Sequence, residues 1–277
     1  MALFEQPGRP KVCGQDTSRD GACLQRAGWH TIVSARLDPG TSGGKGTGVV
    51  SDQVRAILFD FDGVLVDSEP VRFRAGAEAL RAIGVALPWE TFTRHWAGRT
   101  DEAALRDILG ARFEADGSEV IARRNVAYEE RLAEVLFFPD AIRLLGRLPS
   151  GFPLAIASGS RRTEVAAILA RLDLSHRFHA LVTAGGYARS KPAPDPFLAA
   201  AFALGVPAEA CLVVEDSPAG VAAGRAAGMA VLAVDRCGSG AALGESRWRV
   251  ESLDIVDITA TGDVIVDPRT PKGLAGC

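Results

Sequence analysis

The stretch ILFDFDGVLVDSEP, from Ile57 to Pro70, decides the fold because it places two acids directly behind an apolar run. The run around Ile57 is short and continuously apolar, which is typical of a strand buried on both faces of a sheet. Asp60 and Asp62 follow at once. Buried carboxylates are costly unless they are paired or bind a cation. The stretch therefore predicts a functional site at the end of a buried strand.

From residue 54 onward, similar short apolar runs alternate with helical periods. Strands are predicted at Ala56–Phe59, Pro153–Ala157, Ala180–Thr183, Cys211–Val214 and Ala230–Val234, with helices such as Thr163–Leu172 and Asp195–Leu204 between them. This alternation is typical of an α/β fold with a doubly wound parallel sheet, a Rossmann-like core. In such a fold the ligand site lies beyond the carboxyl ends of the strands.

Four regions of the chain differ in their pattern. Residues 1–52 are rich in Gly, Ser, Thr, Pro and Arg, and we expect a flexible N-terminal extension there. Residues 70–137 show helical periods and no strand pattern, which predicts a helical cap inserted into a catalytic core of residues 53–69 and 138–240. Residues 241–277 form a C-terminal segment. Within it, DIVDITATGDVIVDP alternates like a strand, but the sequence indicates no partner for it.

Composition narrows the classes of function. The chain has 277 residues, of which 47% are hydrophobic and 23% are charged, and its net charge is −3. Basic residues are scattered among acids, so neither a nucleic acid nor a membrane is an expected partner. The five cysteines form no C-x-x-C pair, and no signal peptide or membrane span is visible, so we expect a cytoplasmic protein. The sequence leaves the oligomeric state open and favours a monomer.

Polar residues follow the predicted strands at points that a parallel sheet brings to one edge. They are Asp60 and Asp62 after the first strand, Ser158 after the second, Lys191 after the third, and Glu215 with Asp216 after the fourth. Two unit charges about 5 Å apart repel by roughly 3 kcal/mol at an effective dielectric constant of ~20, so a cluster of carboxylates needs a cation. An all-oxygen set without Cys or His favours Mg²⁺.

The other groups at this edge suit a phosphoryl group. The Ser158 hydroxyl and the Gly159 N–H can donate to phosphate oxygens, and Lys191 can neutralise their charge. Hydrolysis of a phosphate ester is extremely slow unaided, and a covalent intermediate divides it into two easier steps. We therefore expect a small phosphorylated metabolite as the partner of this site.

Four segments, DFDGVLVDSE, ASGS, SKPAPDPF and EDSPAG, resemble in this order the four motifs of the haloacid dehalogenase superfamily. The resemblance covers about residues 54–240, including the cap, and is strongest to the branch of β-phosphoglucomutase and small sugar-phosphate phosphatases. It implies that Asp60 is the nucleophile that forms an aspartyl phosphate and that Asp62 is the general acid and then the general base. It also implies that Asp216, with Glu215 beside it, holds Mg²⁺ together with the Asp60 side chain and the Asp62 carbonyl.

The resemblance leaves three functions open. The β-phosphoglucomutases carry a His where this chain has Arg72, and an Arg three residues after the cap-loop Gly, where this chain has Asp101. An acid at that position repels a second phosphate. This favours a phosphatase acting on a small phosphomonoester, such as a sugar phosphate, over a phosphosugar mutase. A non-catalytic sugar-phosphate-binding module is less favoured, because each of the four motifs keeps its catalytic residue.

Further substrate contacts are expected from Arg72, Arg99 and Ser160. Guanidinium groups bind phosphate and acidic sugar groups well, and the cap closes over the site. Each residue also has a structural alternative: the arginines as solvated helix charges, and Ser160 as a hydroxyl at the start of a helix.

Overall fold

The computed structural model describes residues 53–96, 100–236, 243–244 and 246–267, together with the backbone of residues 48–50. The strands are β1 (Gly48–Val50), β2 (Ala56–Phe59), β3 (Val66–Asp67), β4 (Leu136–Phe137), β5 (Leu154–Ala157), β6 (Ala180–Val182), β7 (Cys211–Glu215), β8 (Ala230–Val234), β9 (Trp248–Val250), β10 (Val256–Ile258) and β11 (Val264–Val266). The helices are α1 (Glu69–Arg81), α2 (Trp89–His95), α3 (Asp101–Leu109), α4 (Phe113–Glu129), α5 (Pro139–Arg147), α6 (Arg162–Arg171), α7 (Asp195–Leu204) and α8 (Pro218–Ala226).

The central sheet has six strands in the order β6-β5-β2-β7-β8-β9, and every neighbouring pair is parallel. The five strands predicted from apolar runs are all present, with bounds that differ by at most one residue. The edge strand β9 was not predicted. Among the described residues it pairs with β8 alone, and it includes the exposed Arg249, so it lacks the continuous apolar run of a strand buried on both faces.

Helices cover both faces of this sheet, which confirms the doubly wound α/β fold. Alternate residues along each strand point to opposite faces. Ile57 and Phe59 pack in the cluster that contains α5 and α6, whereas Ala56 and Leu58 pack in the cluster that contains α7 and α8. The sheet is therefore buried on both faces. Polar side chains are accommodated at the carboxyl ends of its strands.

Helices α1 to α4 lie in sequence between β3 and β4, which pair with each other in antiparallel fashion. They have a hydrophobic cluster of their own, which includes Leu80, Phe92, Trp96 and Leu105. This arrangement gives the core a helical cap, as predicted. Among the helices that the structure describes, none combines the length and apolar character that a membrane crossing needs.

A second sheet joins the two ends of the described chain. Its order is β1-β11-β10, and both pairs are antiparallel. The strand pattern predicted in the C-terminal segment is confirmed, and its partners are now known. Residues 48–50, which the sequence analysis placed in a flexible extension, are instead a strand of this sheet. The rest of that extension, residues 1–47 and 51–52, lies outside the described residues.

Candidate active site

The carboxyl edge of the sheet collects the polar residues that follow its central strands. Asp60 follows β2, Ser158 follows β5, and Glu215 ends β7, and these three strands are neighbours. The strand ladder continues into the site, because the Asp60 N–H donates to Val214 O at 2.9 Å. The sheet therefore fixes the backbone from which these side chains project.

Three carboxylates meet at this edge. Asp60, Glu215 and Asp216 each offer an oxygen, and these atoms all lie within 4.8 Å of one another. The convergence of distant acids that the sequence predicted is thus confirmed for these residues. A donor set made only of carboxylate oxygens suits a hard divalent cation.

Lys191 crosses from the loop after β6 to the same cluster. Its Nζ lies 2.8 Å from Asp60 Oδ1 and 2.7 Å from Glu215 Oε1. One ammonium therefore faces three carboxylates, and the cluster keeps a surplus of negative charge. We call Asp60, Lys191, Glu215 and Asp216 the site floor.

The surplus charge perturbs the acids of the floor. Burial, and then the charges of Glu215 and Asp62, raise the pKa of Asp60 to about 7, although Lys191 opposes the shift. Burial and the charges of Glu215 and Asp60 raise the pKa of Asp216 well above its ordinary value. Without a further cation, the floor therefore tends to hold a proton.

Glu215 is engaged at both oxygens. Oε1 binds Lys191, and Oε2 accepts from the N–H groups of Asp216 and Ser217, each at 2.8 Å, and from the Ser217 hydroxyl at 3.0 Å. In contrast, the Asp216 carboxylate accepts no hydrogen bond from any residue that the structure describes. The sequence predicted both acids as metal ligands. Both remain candidate ligands because their carboxylates lie in one cluster with Asp60, and Glu215 also holds Lys191 and the turn at residues 215–217.

Two glycines allow these side chains to approach the backbone. A Cβ at Gly220 would lie 1.6 Å from Glu215 Oε1, and a Cβ at Gly63 would lie 1.8 Å from Asp216 Oδ2. Gly63 also has φ +81, a conformation that other residues rarely adopt. Both glycines belong to segments that carried the predicted site, and their role is to leave room for carboxylates.

Asp62 has a separate set of partners. The hydroxyls of Ser68 and Ser160 donate to its two oxygens at 2.5 Å and 2.6 Å, and Arg72 Nε lies 3.8 Å away. Burial alone would raise the pKa of Asp62, but the charge of Arg72 and the two hydroxyl bonds hold it below its usual value. Asp62 is therefore kept as a carboxylate in this arrangement.

The predicted serines lie at the site, where their hydroxyls have protein partners. Ser160, a predicted substrate contact, donates its hydroxyl to Asp62 and accepts from Arg72 Nη2 at 3.1 Å. Ser68 was not singled out from the sequence; the available signal was its place just before α1 in the first motif. The Ser158 hydroxyl is buried and accepts from the Ser160 N–H at 3.0 Å. Gly159 lines the open cavity above them.

A cavity of about 700 Å³ lies above the floor and is bounded by both the core and the cap. From the cap, Arg72, Asp101 and Arg124 line it, and we call these three residues the cap wall. Arg72 was predicted as a substrate contact, whereas Arg124 was not noticed because it stands in a run of polar residues on α4. Arg99, another predicted contact, lies outside the described residues.

Residues 54–228 match the sequence model of haloacid dehalogenase-like hydrolases, and this span contains the floor and the cap wall. The chain belongs to the haloacid dehalogenase-like hydrolase family. The resemblance drawn from the four motifs is thereby confirmed, and with it the assignment of the chain as a hydrolase. Phosphatases among the relatives agree with a phosphoric monoester hydrolase.

Relatives of this hydrolase include both phosphatases and a mutase. It is 35% identical over 215 residues to hexitol phosphatase A of Escherichia coli, covering 76% of this chain and 98% of the relative. It is 32% identical over 191 residues to the β-phosphoglucomutase of Bacillus subtilis, covering 65% and 83%. It is 34% identical over 223 residues to protein SUPPRESSOR OF QUENCHING 1, chloroplastic, of Arabidopsis thaliana; the match covers 76% of this chain but only 21% of that protein.

Solved structures share the fold of this family member. The β-phosphoglucomutase of Clostridium difficile superposes with a TM-score of 0.63 at 24% identity, covering 72% of this chain and 92% of that chain. CbbY of Rhodobacter sphaeroides, in complex with phosphate, superposes with a TM-score of 0.62 at 22% identity, covering 72% and 95%. At these identities the likeness establishes the fold alone.

Proposed function

We propose that this hydrolase is a Mg²⁺-dependent phosphatase that acts on a small phosphomonoester, such as a sugar phosphate, through an aspartyl phosphate on Asp60. The observation that carries the proposal is the site floor, in which Asp60 is paired with Lys191 beside Asp216 at the base of a cavity. Hexitol phosphatase A and fructose-1-phosphate phosphatase YqaB of Escherichia coli are among the similar proteins, which supports this substrate class.

Asp60 is the proposed nucleophile because it is the floor acid best placed to meet a phosphorus atom. Its Oδ1 is held by Lys191, so the carboxylate is fixed in position while Oδ2 accepts no hydrogen bond from the described residues. In the first step an Asp60 oxygen forms a bond to phosphorus, and the bond from phosphorus to the ester oxygen breaks. Covalent catalysis of this kind needs the carboxylate in its ionised form.

Asp62 is the proposed proton carrier. It donates a proton to the leaving alkoxide in the first step and takes one from water in the second, when the bond between Asp60 and phosphorus breaks and inorganic phosphate leaves. The partners Ser68, Ser160 and Arg72 favour the carboxylate form of Asp62, which is the form that the second step requires. The first step requires a proton on Asp62. Because the charge of Arg72 favours the carboxylate form, the interaction between Arg72 and Asp62 must be weaker in that step.

The residues present fit a bound Mg²⁺. Asp60 and Asp216 offer carboxylate oxygens, the cluster has surplus negative charge, and Gly63 leaves space for Asp216. Asp60, Glu215 and Asp216 are the proposed ligands, with the Asp62 carbonyl as a further one. When bound, the cation lowers the charge repulsion at the floor and stabilises negative charge on the phosphoryl oxygens.

Phosphate oxygens have donors on the other side of the floor. Lys191 remains close to Asp60, and the Gly159 N–H precedes α6 at the cavity surface. Backbone N–H groups near the start of a helix favour an anion, and a fixed ammonium does the same. The buried Ser158 supports this loop through its bond with the Ser160 N–H and is also proposed to donate to phosphate.

The experiment is hydrolysis of p-nitrophenyl phosphate after removal of divalent ions with EDTA, followed by a Mg²⁺ titration. The wild type should regain activity with Mg²⁺, and Asp216→Asn should need a Mg²⁺ concentration about tenfold higher or more, because one charged ligand is lost. The matched control Asp257→Asn changes an exposed acid and should behave as the wild type. Full activity in EDTA would refute the metal requirement.

A phosphosugar mutase is the second candidate, and similarity to β-phosphoglucomutases is the observation that favours it. Arg72 and Asp101 stand where those enzymes have a His and an Arg, which counts against it. Incubation with glucose 1-phosphate separates the two activities. Release of inorganic phosphate supports the phosphatase, whereas accumulation of glucose 6-phosphate without phosphate release would establish the mutase.

A further inference from the structure

Arg236 is a largely buried cation that does not line the cavity but bonds to the backbone next to Asp62. Its side chain is 13% exposed and comes from the loop after β8. Nε donates to Gly63 O at 3.1 Å, and Nη2 donates to Val64 O at 3.0 Å. Gly63 and Val64 directly follow the proposed proton carrier along the chain. The planar guanidinium therefore holds the turn that begins at Asp62 by two hydrogen bonds.

The turn that Arg236 holds has little room to move. Gly63 has φ +81, and its N–H donates to Val66 O at 2.8 Å. The Asp216 carboxylate lies against Gly63, since a Cβ there would be 1.8 Å from Oδ2. A shift of this turn would therefore displace the backbone of Asp62 and disturb the contact with Asp216.

Arg236 is itself fixed by contacts with the core. Nη1 donates to Asp140 Oδ2 at 2.8 Å, and the Asp140 side chain is 5% exposed. The same oxygen accepts from the Ser252 hydroxyl at 2.9 Å and from the Leu253 N–H at 2.8 Å. The guanidinium also lies over the ring of Phe138, with its Cζ 3.7 Å from the ring centroid. The core therefore fixes the guanidinium, and the guanidinium fixes the turn.

We propose that Arg236 is a positioning residue that places Asp62 for proton transfer to the leaving group. Ser68 and Ser160 orient the carboxylate of Asp62 through their hydroxyls, whereas Arg236 holds the backbone that follows it. Proton transfer needs the donor within hydrogen-bond reach, and a displacement of about 1 Å can cost about 10²-fold in rate. This inference rests on the proposed function and adds to it a residue outside the cavity.

Two aryl phosphates of similar shape test the proposal. Phenol is a much weaker acid than p-nitrophenol, so phenyl phosphate depends more than p-nitrophenyl phosphate on a proton donated to the leaving oxygen. The value of kcat/KM includes the step in which that oxygen leaves. It is measured for both substrates with excess Mg²⁺, on the full chain, well below the melting temperature of each variant. We call the value for p-nitrophenyl phosphate divided by that for phenyl phosphate the leaving-group ratio.

Arg236→Met should raise the leaving-group ratio about tenfold, because Asp62 then reaches the leaving oxygen less well. Arg236→Lys keeps the charge beside Asp140 and should fold, but it cannot bond to Asp140 and both carbonyls together, so it should also raise the ratio. The matched control is Arg143→Met on α5, because Arg143 is 47% exposed and pairs with Asp254 at 2.7 Å. The control should lower the melting temperature and leave the ratio unchanged.

An unchanged leaving-group ratio in both Arg236 variants would overturn the inference, whether or not the overall rate falls, because Arg236 would then stabilise the fold without placing Asp62. A ratio that rises as much in Arg143→Met would overturn it too, since any loss of stability would have the same effect. Both results would leave the phosphatase proposal intact. That proposal fails instead if the wild type hydrolyses neither aryl phosphate.

Discussion

The site floor and the cap wall face each other across one cavity, and they differ in how their charges are satisfied. On the floor, Lys191 bridges two carboxylates, and Glu215 uses both of its oxygens. On the cap wall, Arg124 makes one hydrogen bond within the described residues, and Arg72 Nε makes none. The floor is organised before any substrate arrives, whereas the wall keeps donors that the described residues do not use.

This difference gives the two regions separate expected roles: the floor in the reaction and the wall in the selection of the substrate. A preorganised floor acts on the group that every phosphomonoester shares, because its donors and charges are fixed in advance. Unused donors on the wall discriminate between substrates, because a ligand lacking the matching acceptor leaves buried polar groups unpaired. Changes on the floor should therefore affect all substrates alike, and changes on the wall should alter their ranking.

The largest expected effect is that of Asp60→Asn. The amide keeps the shape of the side chain but is a poor nucleophile, so kcat should fall by about 10⁴-fold or more for every phosphomonoester. Steady-state phosphate release measures it, and Asp257→Asn is the control. A loss confined to some of the phosphomonoesters would show that Asp60 acts in substrate selection and would contradict the division between floor and wall.

Lys191→Met removes the ammonium that holds the floor together. It leaves Asp60 and Glu215 unpaired in a buried site, and breaking a buried ion pair typically costs about 3–5 kcal/mol. We expect a lower free energy of unfolding in denaturant and a fall in kcat/KM of about 10²-fold, from loss of a preorganised positive charge. Arg189→Met, in the same loop, removes an exposed pair with Asp195 and should cost under about 1 kcal/mol. Equal costs in the two variants would show that the floor is not held by Lys191.

Gly220→Ala tests the floor through the backbone. The added Cβ would lie 1.6 Å from Glu215 Oε1, so Glu215 must move and release Lys191. Overpacking of this kind costs about 1–3 kcal/mol, and kcat/KM should fall with it. The control is Gly146→Ala on α5, where nothing lies within 4 Å, and which should stabilise by about 0.4–1 kcal/mol. A Gly220→Ala enzyme as stable and active as the wild type would refute the tight contact.

The most indirect effect is on the pH dependence of stability. The pKa of Asp60 is raised from 3.8 to about 7 in the fold, so the folded chain binds this proton more tightly than the unfolded chain does. The stabilisation is full below about pH 4 and is lost as pH rises through 7. In EDTA the melting temperature should fall by a few degrees between pH 5 and 8, and Mg²⁺ or Asp60→Asn should flatten the curve. A melting temperature that rises between pH 5 and 8 in EDTA would contradict the raised pKa of Asp60.

Much of the core could be predicted from the sequence because buried parallel strands are continuous apolar runs. Ala56–Phe59 and Ala230–Val234 have the bounds that the pattern predicts. Polar residues directly after such runs lie at the carboxyl edge by geometry alone, so Asp60 and Asp216 could be brought together in advance. For these strands and acids, the local sequence pattern predicts the same positions as the topology of the sheet.

The remaining features depend on contacts that no local pattern records. Strand β1 exists because β11 has an open edge, and these two strands come from opposite ends of the described chain. Glu215 and Asp216 are adjacent acids whose carboxylates converge with that of Asp60, and only their contacts differ: Glu215 binds Lys191, whereas Asp216 accepts no hydrogen bond from the described residues. Arg124 is one of two adjacent arginines in α4, and its burial distinguishes it from the exposed Arg123.

Ser68 connects the first helix of the cap directly to Asp62, the proposed proton carrier. It is the last residue before α1, and its carbonyl accepts the N–H of Arg72 while its hydroxyl donates to Asp62. A rotation of the cap about this point changes the distances from Asp62 to both Ser68 and Arg72 at once. The protonation of Asp62 would therefore depend on where the first helix of the cap lies.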